Sequence, residues 1–279
     1  MKTAPQTPVV VIPAVGILGI LICMGHLGCK DRGDPIRDNY RGHASSSQTQ
    51  PERSVTFSTS DGWTLVGDLY TPPDKPIGAV VMLHQRGGSA ADWHDLSDAL
   101  RQKDILVLAI DQRGAGRSLS PDTKLNGKNA PWNTANDIIA AIKWLSQNFG
   151  DRNHGVNGIN ISLVGASYGA NNALIYAAAH GDVTQVGSIK SIVLFSPGAN
   201  YNGLDGLRAA KDWNGPMFIV YATHDQIAGL GPTAIHEECP SHDKPTRQFD
   251  EDKHGSDLLI DDNGDIVEDT VDFLERTLQ

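Results

Sequence analysis

Ala79-Val80-Val81-Met82-Leu83 is an unbroken apolar run, and a run of that kind suits a strand only where both of its faces are covered. Ile105 to Ile110, Ile159 to Val164, Ile189 to Phe195 and Met217 to Tyr221 repeat the pattern. Helical periodicity falls between them. Asp92 to Gln102 gathers Trp93, Leu96 and Leu100 on one side, and Thr134 to Phe149 gathers Ile138, Ile139, Ile142 and Leu145. Asn171 to His180 is a further helix, and Ile266 to Leu278 closes the chain as an amphipathic one. Ahead of this alternation, Ser54 to Phe57 and Trp63 to Tyr70 flank the turn Asp61-Gly62, which predicts an antiparallel hairpin. The expected fold is therefore α/β: a mostly parallel twisted sheet with an antiparallel N-terminal hairpin and helices on both faces. Reactive groups in such sheets collect at the carboxyl ends of the strands.

The residues before Arg53 do not share this pattern. Lys2 precedes an apolar run from Val9 to Met24, broken by Pro13 and glycines and ending at His26-Leu27-Gly28-Cys29. Residues 1–28 read as an export signal, with an uncleaved membrane anchor or a buried core segment as the alternatives. Leu27-Gly28-Cys29 resembles the end of a bacterial lipoprotein signal, in which the Cys is lipidated. His26 stands where that motif prefers an aliphatic residue. Residues 29–52 are polar and include Ser45-Ser46-Ser47-Gln48-Thr49-Gln50-Pro51, the composition of a linker. The expectation is an exported protein of the bacterial periplasm or cell envelope, tethered to a membrane through Cys29. Residues 53–279 would form one folded domain. Of Cys23, Cys29 and Cys239, only Cys239 falls in that domain, so no intramolecular disulfide is expected there. A formal net charge of −10 argues against binding nucleic-acid phosphates.

The run Ile159 to Val164 leads into Gly165-Ala166-Ser167-Tyr168-Gly169, and a helical pattern follows. This is G-x-S-x-G at a strand-to-helix turn, where glycines are useful because a Cβ would meet neighbouring backbone. Ser167 is the candidate nucleophile. A serine hydroxyl needs a base to take its proton and a group to orient that base. Asp225 stands just past the end of the Met217 to Tyr221 strand, and His254 lies in a loop before the last helix. His224, Asp250 and Asp252 are rivals. His224 would have to fold back on its neighbour Asp225, and Asp250 and Asp252 lie too near His254 in sequence to orient it.

With Ser, Asp and His in that order, residues 53–279 resemble the α/β-hydrolase superfamily, in the branch of serine esterases, dienelactone-hydrolase-like proteins and serine-aminopeptidase-like hydrolases. The resemblance implies that Ser167 attacks the substrate carbonyl, His254 serves as base and then acid, and Asp225 holds the imidazole. It implies no cofactor. Oxyanion donors would be the backbone N–H groups of Tyr168 and of Arg86. The latter lies in His84-Gln85-Arg86-Gly87-Gly88-Ser89, which is similar to the family's His-Gly-x-Gly loop but carries Gln85 where many members have Gly. His84 itself reads as a brace for that loop. The stretch Asp111-Gln112-Arg113-Gly114-Ala115-Gly116-Arg117-Ser118 lacks the spacing of a phosphate loop and resembles the superfamily's Asp-x-Arg-Gly-x-Gly-x-Ser segment, with a structural role.

Two metal-like patterns carry less. His236, Cys239 and His242 are interrupted by Pro240 and lack a fourth ligand, and Asp261-Asp262-Asn263-Gly264-Asp265 does not keep calcium-loop spacing. No metal is expected. Only Pro197 to Gly215 separate two strands at the place where the superfamily often inserts a lid, so a large cap domain is not expected. Gly198 to Leu207 and Ile227 to His242 are candidate partial covers, with Tyr168, Tyr201 and Trp132 as candidate linings. The expected function is hydrolysis of a small-molecule carboxylic ester through an acyl-enzyme. Peptide or amide hydrolysis by the same triad, and a noncatalytic binding lipoprotein on the same fold, are the alternatives. Nothing in the sequence sets the oligomeric state.

Overall fold

The computed structural model describes residues 53–150, 159–180, 189–260 and 264–279. The signal and linker expectations, Cys29 included, fall outside the described residues, as do Asp261 to Asn263. Among the described residues no helix is long and apolar enough to cross a membrane.

The hairpin forms as β1 (Arg53–Ser58) and β2 (Thr64–Tyr70), paired antiparallel. The buried strands β3 (Gly78–Leu83), β4 (Ile105–Asp111), β5 (Ile161–Ala166) and β6 (Ile189–Phe195) follow. A two-stranded ribbon, β7 (Asn200–Tyr201) with β8 (Leu204–Asp205), precedes β9 (Met217–Ala222) and β10 (Thr246–Phe249). Eight strands join in the order β1-β2-β4-β3-β5-β6-β9-β10. β2 runs antiparallel to both of its neighbours, and every other pairing is parallel.

Side-chain alternation along each strand feeds two cores. Ala79, Val81, Leu83, Leu106, Leu108 and Ile110 face one layer with α2 (Ala135–Phe149), α3 (Tyr168–His180), α4 (Gly206–Asp212) and α5 (Gly231–Glu238). Val80, Met82, Ile105, Val107 and Ala109 face the other, with α1 (His94–Arg101) and α6 (Gly264–Leu278). Burying each such aliphatic side chain stabilises the fold by about 1.5–3 kcal/mol before entropy is counted. Both faces are therefore covered, which is why these strands read as apolar runs. Among the described residues, Pro197 to Gly215 hold only the ribbon and α4, and there is no large cap.

The strand order turns back on itself at β3. The chain moves from β3 to β4 on one side, then crosses over β3 to place β5 on the other. A crevice opens at the carboxyl ends of strands at such a reversal. The loop after β3 and the loop after β5 meet there.

Candidate active site

Ser167 sits between β5 and α3 with φ +53°, a left-handed conformation that is uncommon for residues other than glycine. Its backbone N–H bonds the Phe195 carbonyl at 2.8 Å, tying the turn to β6. The flanking glycines have a steric reason. A Cβ on Gly165 would run into the Gly169 carbonyl, and one on Gly169 into the Leu83 carbonyl. The sharp turn lifts the Ser167 hydroxyl to the end of the sheet.

His254 reaches it from the loop after β10. Its Nε2 lies 2.7 Å from Ser167 Oγ, and its Nδ1 lies 2.7 Å from Asp225 Oδ2. The other Asp225 oxygen, Oδ1, accepts the N–H groups of Ile227 at 2.9 Å and Ala228 at 3.0 Å. Burial pushes the Asp225 carboxyl up, but hydrogen bonds from His254, the Ala228 N–H and the Ser196 hydroxyl outweigh it and hold the group below the usual carboxylate range. An ionised carboxylate only accepts, so the imidazole proton belongs on Nδ1 and the Nε2 lone pair faces Ser167. All three residues are buried, at 6% exposure for Ser167, 4% for Asp225 and 7% for His254.

The rivals lie elsewhere. His224 is largely exposed and pairs with Asp250 at 3.5 Å, and Asp250 is 91% exposed. Asp252 is exposed too. His84 is fully buried and burial lowers its pKa; Nε2 accepts the Gln112 N–H at 3.0 Å while Nδ1 donates to the Gln85 carbonyl at 2.7 Å. It braces two loops as a neutral ring. In the segment after β4, Asp111 accepts the Ala90 N–H at 2.7 Å and the Arg117 side chain at 2.6 Å, while Arg113 binds Asp137 and Asp61. These contacts are internal to the scaffold. His236 bonds the Lys244 carbonyl and Cys239 the Trp213 carbonyl, and no cluster of three metal-ligating side chains occurs among the described residues.

The two amides expected as oxyanion donors lie in the turn after β5 and the loop after β3. Tyr168 opens α3, so its N–H lies in the first turn, where the helix supplies no acceptor. Arg86 is the second residue of a turn closed by the Gly88 N–H on the Gln85 carbonyl at 2.9 Å, with Gly87 at φ +85°, and that closing bond leaves the Arg86 N–H unused. The Arg86 guanidinium stacks 4.4 Å from the Trp132 ring centre and 5.6 Å from that of Tyr168. It also donates to the carbonyls of Gly127, Lys128 and Ala130. Trp132 and Tyr168 thus pack against this loop, and only Tyr201, edge-on to His254 at 6.4 Å, borders the base.

Asp92 lies beneath the same turn, its Oδ2 accepting the Ser89 N–H at 3.3 Å. Burial, helped by Asp257 and Asp111, pushes its carboxyl up to about 6. An unfolded Asp titrates near ~4, so the folded chain holds this proton more tightly between the two values. Stability therefore falls as pH rises through that window and levels off above it. Asp92→Asn is expected to raise unfolding stability by about 1–2 kcal/mol above pH ~6 and to change nothing below pH ~4. Urea titrations at both pH values check this; an equal gain at both would contradict it.

Ser196 and Gln85 were not readable as site residues. Ser196 directly follows β6 at φ +48°, helps hold the Asp225 carboxyl low, and accepts the Gly255 N–H at 2.9 Å. Its only sequence signal was its place at a strand's carboxyl end. Asn171 pins the ribbon through the Gly198 and Leu204 carbonyls.

The fold resembles solved structures over nearly its whole described length. A Pyrococcus furiosus esterase superposes with TM-score 0.63 at 19% identity, covering 81% of this chain and 93% of that one. The chain has the α/β-hydrolase fold. Residues 74–205 match the model of the serine aminopeptidase S33 family, a stretch that contains Ser167 but neither Asp225 nor His254. A monoacylglycerol lipase of Mycolicibacterium smegmatis is 36% identical over 72 residues, 26% of this chain and 25% of that protein. A polyketide transferase of Gibberella fujikuroi is 30% identical over 132 residues, 47% of this chain and 39% of that protein. The chain therefore aligns with between a quarter and two-fifths of the length of these curated relatives.

Proposed function

We propose that this chain is a serine hydrolase that cleaves small carboxylic esters through an acyl-enzyme, with Ser167 as nucleophile, His254 as base and acid, and Asp225 as its orienting partner. The observation that carries the proposal is the unbroken hydrogen-bond chain from Ser167 Oγ through both nitrogens of His254 to Asp225. As Ser167 attacks the carbonyl carbon, its proton passes to His254 Nε2, and Asp225 stabilises the imidazolium. The carbonyl oxygen becomes an oxyanion facing the N–H groups of Tyr168 and Arg86, each such donor being worth about 3 kcal/mol at the transition state. Collapse expels the alcohol, which takes the proton from His254. Water, deprotonated by the same imidazole, then releases the acid and restores Ser167.

The ester preference draws support from the names of the similar proteins, a monoacylglycerol lipase and an esterase. The S33 match favours a second reading, amide hydrolysis by the same three residues. Two assays separate the possibilities. A fluorophosphonate is expected to form an adduct on Ser167 of the folded chain; its absence would favour a noncatalytic binding protein. p-Nitrophenyl esters of short acids are expected to turn over faster than long-chain esters and than aminoacyl anilides. Faster anilide cleavage would overturn the ester assignment.

A further inference from the structure

Gln85 occupies a position at which the resembling loop carries glycine, and its side chain is almost fully buried. Its amide oxygen accepts the Ser256 N–H at 2.8 Å, and its amide nitrogen donates to Asp257 Oδ1 at 3.1 Å. The partners lie two and three residues after His254. Its backbone carbonyl closes the turn that presents Arg86 and accepts His84 Nδ1. Gly255, between His254 and Ser256, stands at φ +60°, and a Cβ there would collide with Gln85 Oε1. The preceding N–H, that of Gly255, is held at 2.9 Å by the Ser196 hydroxyl, which also helps keep the Asp225 carboxyl low. Two successive amides of the histidine loop are thus fastened, one toward the acid and one toward the oxyanion loop.

We infer that Gln85 is a positioning residue whose side-chain amide bolts the loop offering the Arg86 N–H to the loop carrying His254, fixing the separation between oxyanion donor and base. The inference rests on the hydrolase reading above. Only a carboxamide suits this place, because one acceptor must meet Ser256 and one donor must meet Asp257. Glutamate offers acceptors alone, and methionine fills the volume with neither. Loss of the bolt leaves the Ser256 N–H buried without its acceptor and frees the two loops to drift, and a misplacement of about 1 Å costs about 100-fold in rate.

The test is steady-state hydrolysis of a short p-nitrophenyl ester at mildly alkaline pH, with thermal unfolding recorded for each variant. Gln85→Met is expected to lower kcat about 10- to 100-fold with KM within about twofold. Gln85→Glu is expected to be similarly impaired, since it sets two carboxylates against each other. Adding Asp257→Asn to Gln85→Glu reverses donor and acceptor and is expected to restore kcat to within about threefold of wild type. A merely space-filling role would not produce that recovery. Wild-type kcat in Gln85→Met, a change confined to KM, an unimpaired Gln85→Glu, or no recovery in the folded double variant would each overturn the inference. If Gln85→Met does not fold, the comparison of Gln85→Glu with the double variant decides. A wild-type chain that takes no fluorophosphonate removes the hydrolase reading itself, whereas a labelled wild type with an unaffected Gln85→Met removes only the bolt.

Discussion

Ser167→Ala is expected to abolish fluorophosphonate labelling and to reduce ester turnover about 10⁴- to 10⁶-fold while leaving the fold intact. The size follows from what remains. With Oγ gone, His254 Nε2 faces no hydroxyl, and water must attack without a covalent intermediate, aided only by the proposed oxyanion donors, the N–H groups of Tyr168 and Arg86. Such donors with substrate binding leave about 10³- to 10⁴-fold acceleration over water when a triad member is removed. Structure should persist because Ser167 makes its anchoring bond through its backbone N–H to Phe195, which alanine retains. Turnover within tenfold of wild type, measured on the same ester, would mean that the chemistry lies elsewhere.

Asp225→Asn is expected to lower kcat by about 10⁴-fold with the geometry nearly unchanged. The reasoning turns on which oxygen is replaced. Oδ1 accepts two backbone N–H groups, from Ile227 and Ala228, so the amide oxygen of an asparagine must stay on that side. Its NH₂ then faces His254 Nδ1 and donates to it. The imidazole proton moves to Nε2, which points at Ser167 with nothing left to accept. Asp250→Asn provides the control, because that side chain is exposed and pairs with His224 away from the triad. It should change kcat less than about twofold. Equal losses in the two variants, or a loss only in Asp250→Asn, would reassign the orienting acid.

The central strands were legible because they are covered on both faces, and continuous apolar runs are the consequence. β10 was not legible. Its residues Thr246 to Phe249 alternate between exposed and half-buried at the sheet edge, so they carry no apolar run to detect. The ribbon after β6 depends on the distant Asn171 rather than on its own periodicity, and α4 and α5, at 7 and 8 residues, are too short to show a helical repeat. The helix expected over Asp92 to Gln102 divides into a 3-10 turn at Ala90–Trp93 and α1, started by the Ser89–Asp92 capping box. α3 begins at Tyr168 rather than near Asn171, because the elbow passes straight from strand into helix. Ser167, Asp225 and His254 could be named from strand ends and chain order, whereas their separations could not. The contacts of Gln85 and Ser196 were invisible because their partners lie 171 and 59 residues away.

The left-handed backbone at Ser167 also limits which alcohol this elbow can hold. Threonine carries the same hydroxyl, but its extra methyl on Cβ crowds the neighbouring peptide at positive φ, where β-branched residues are genuine outliers. Chemical equivalence of the two side chains therefore gives no freedom of exchange here. The peptide geometry, more than the reactivity of the oxygen, makes serine rather than threonine the tenant of this position.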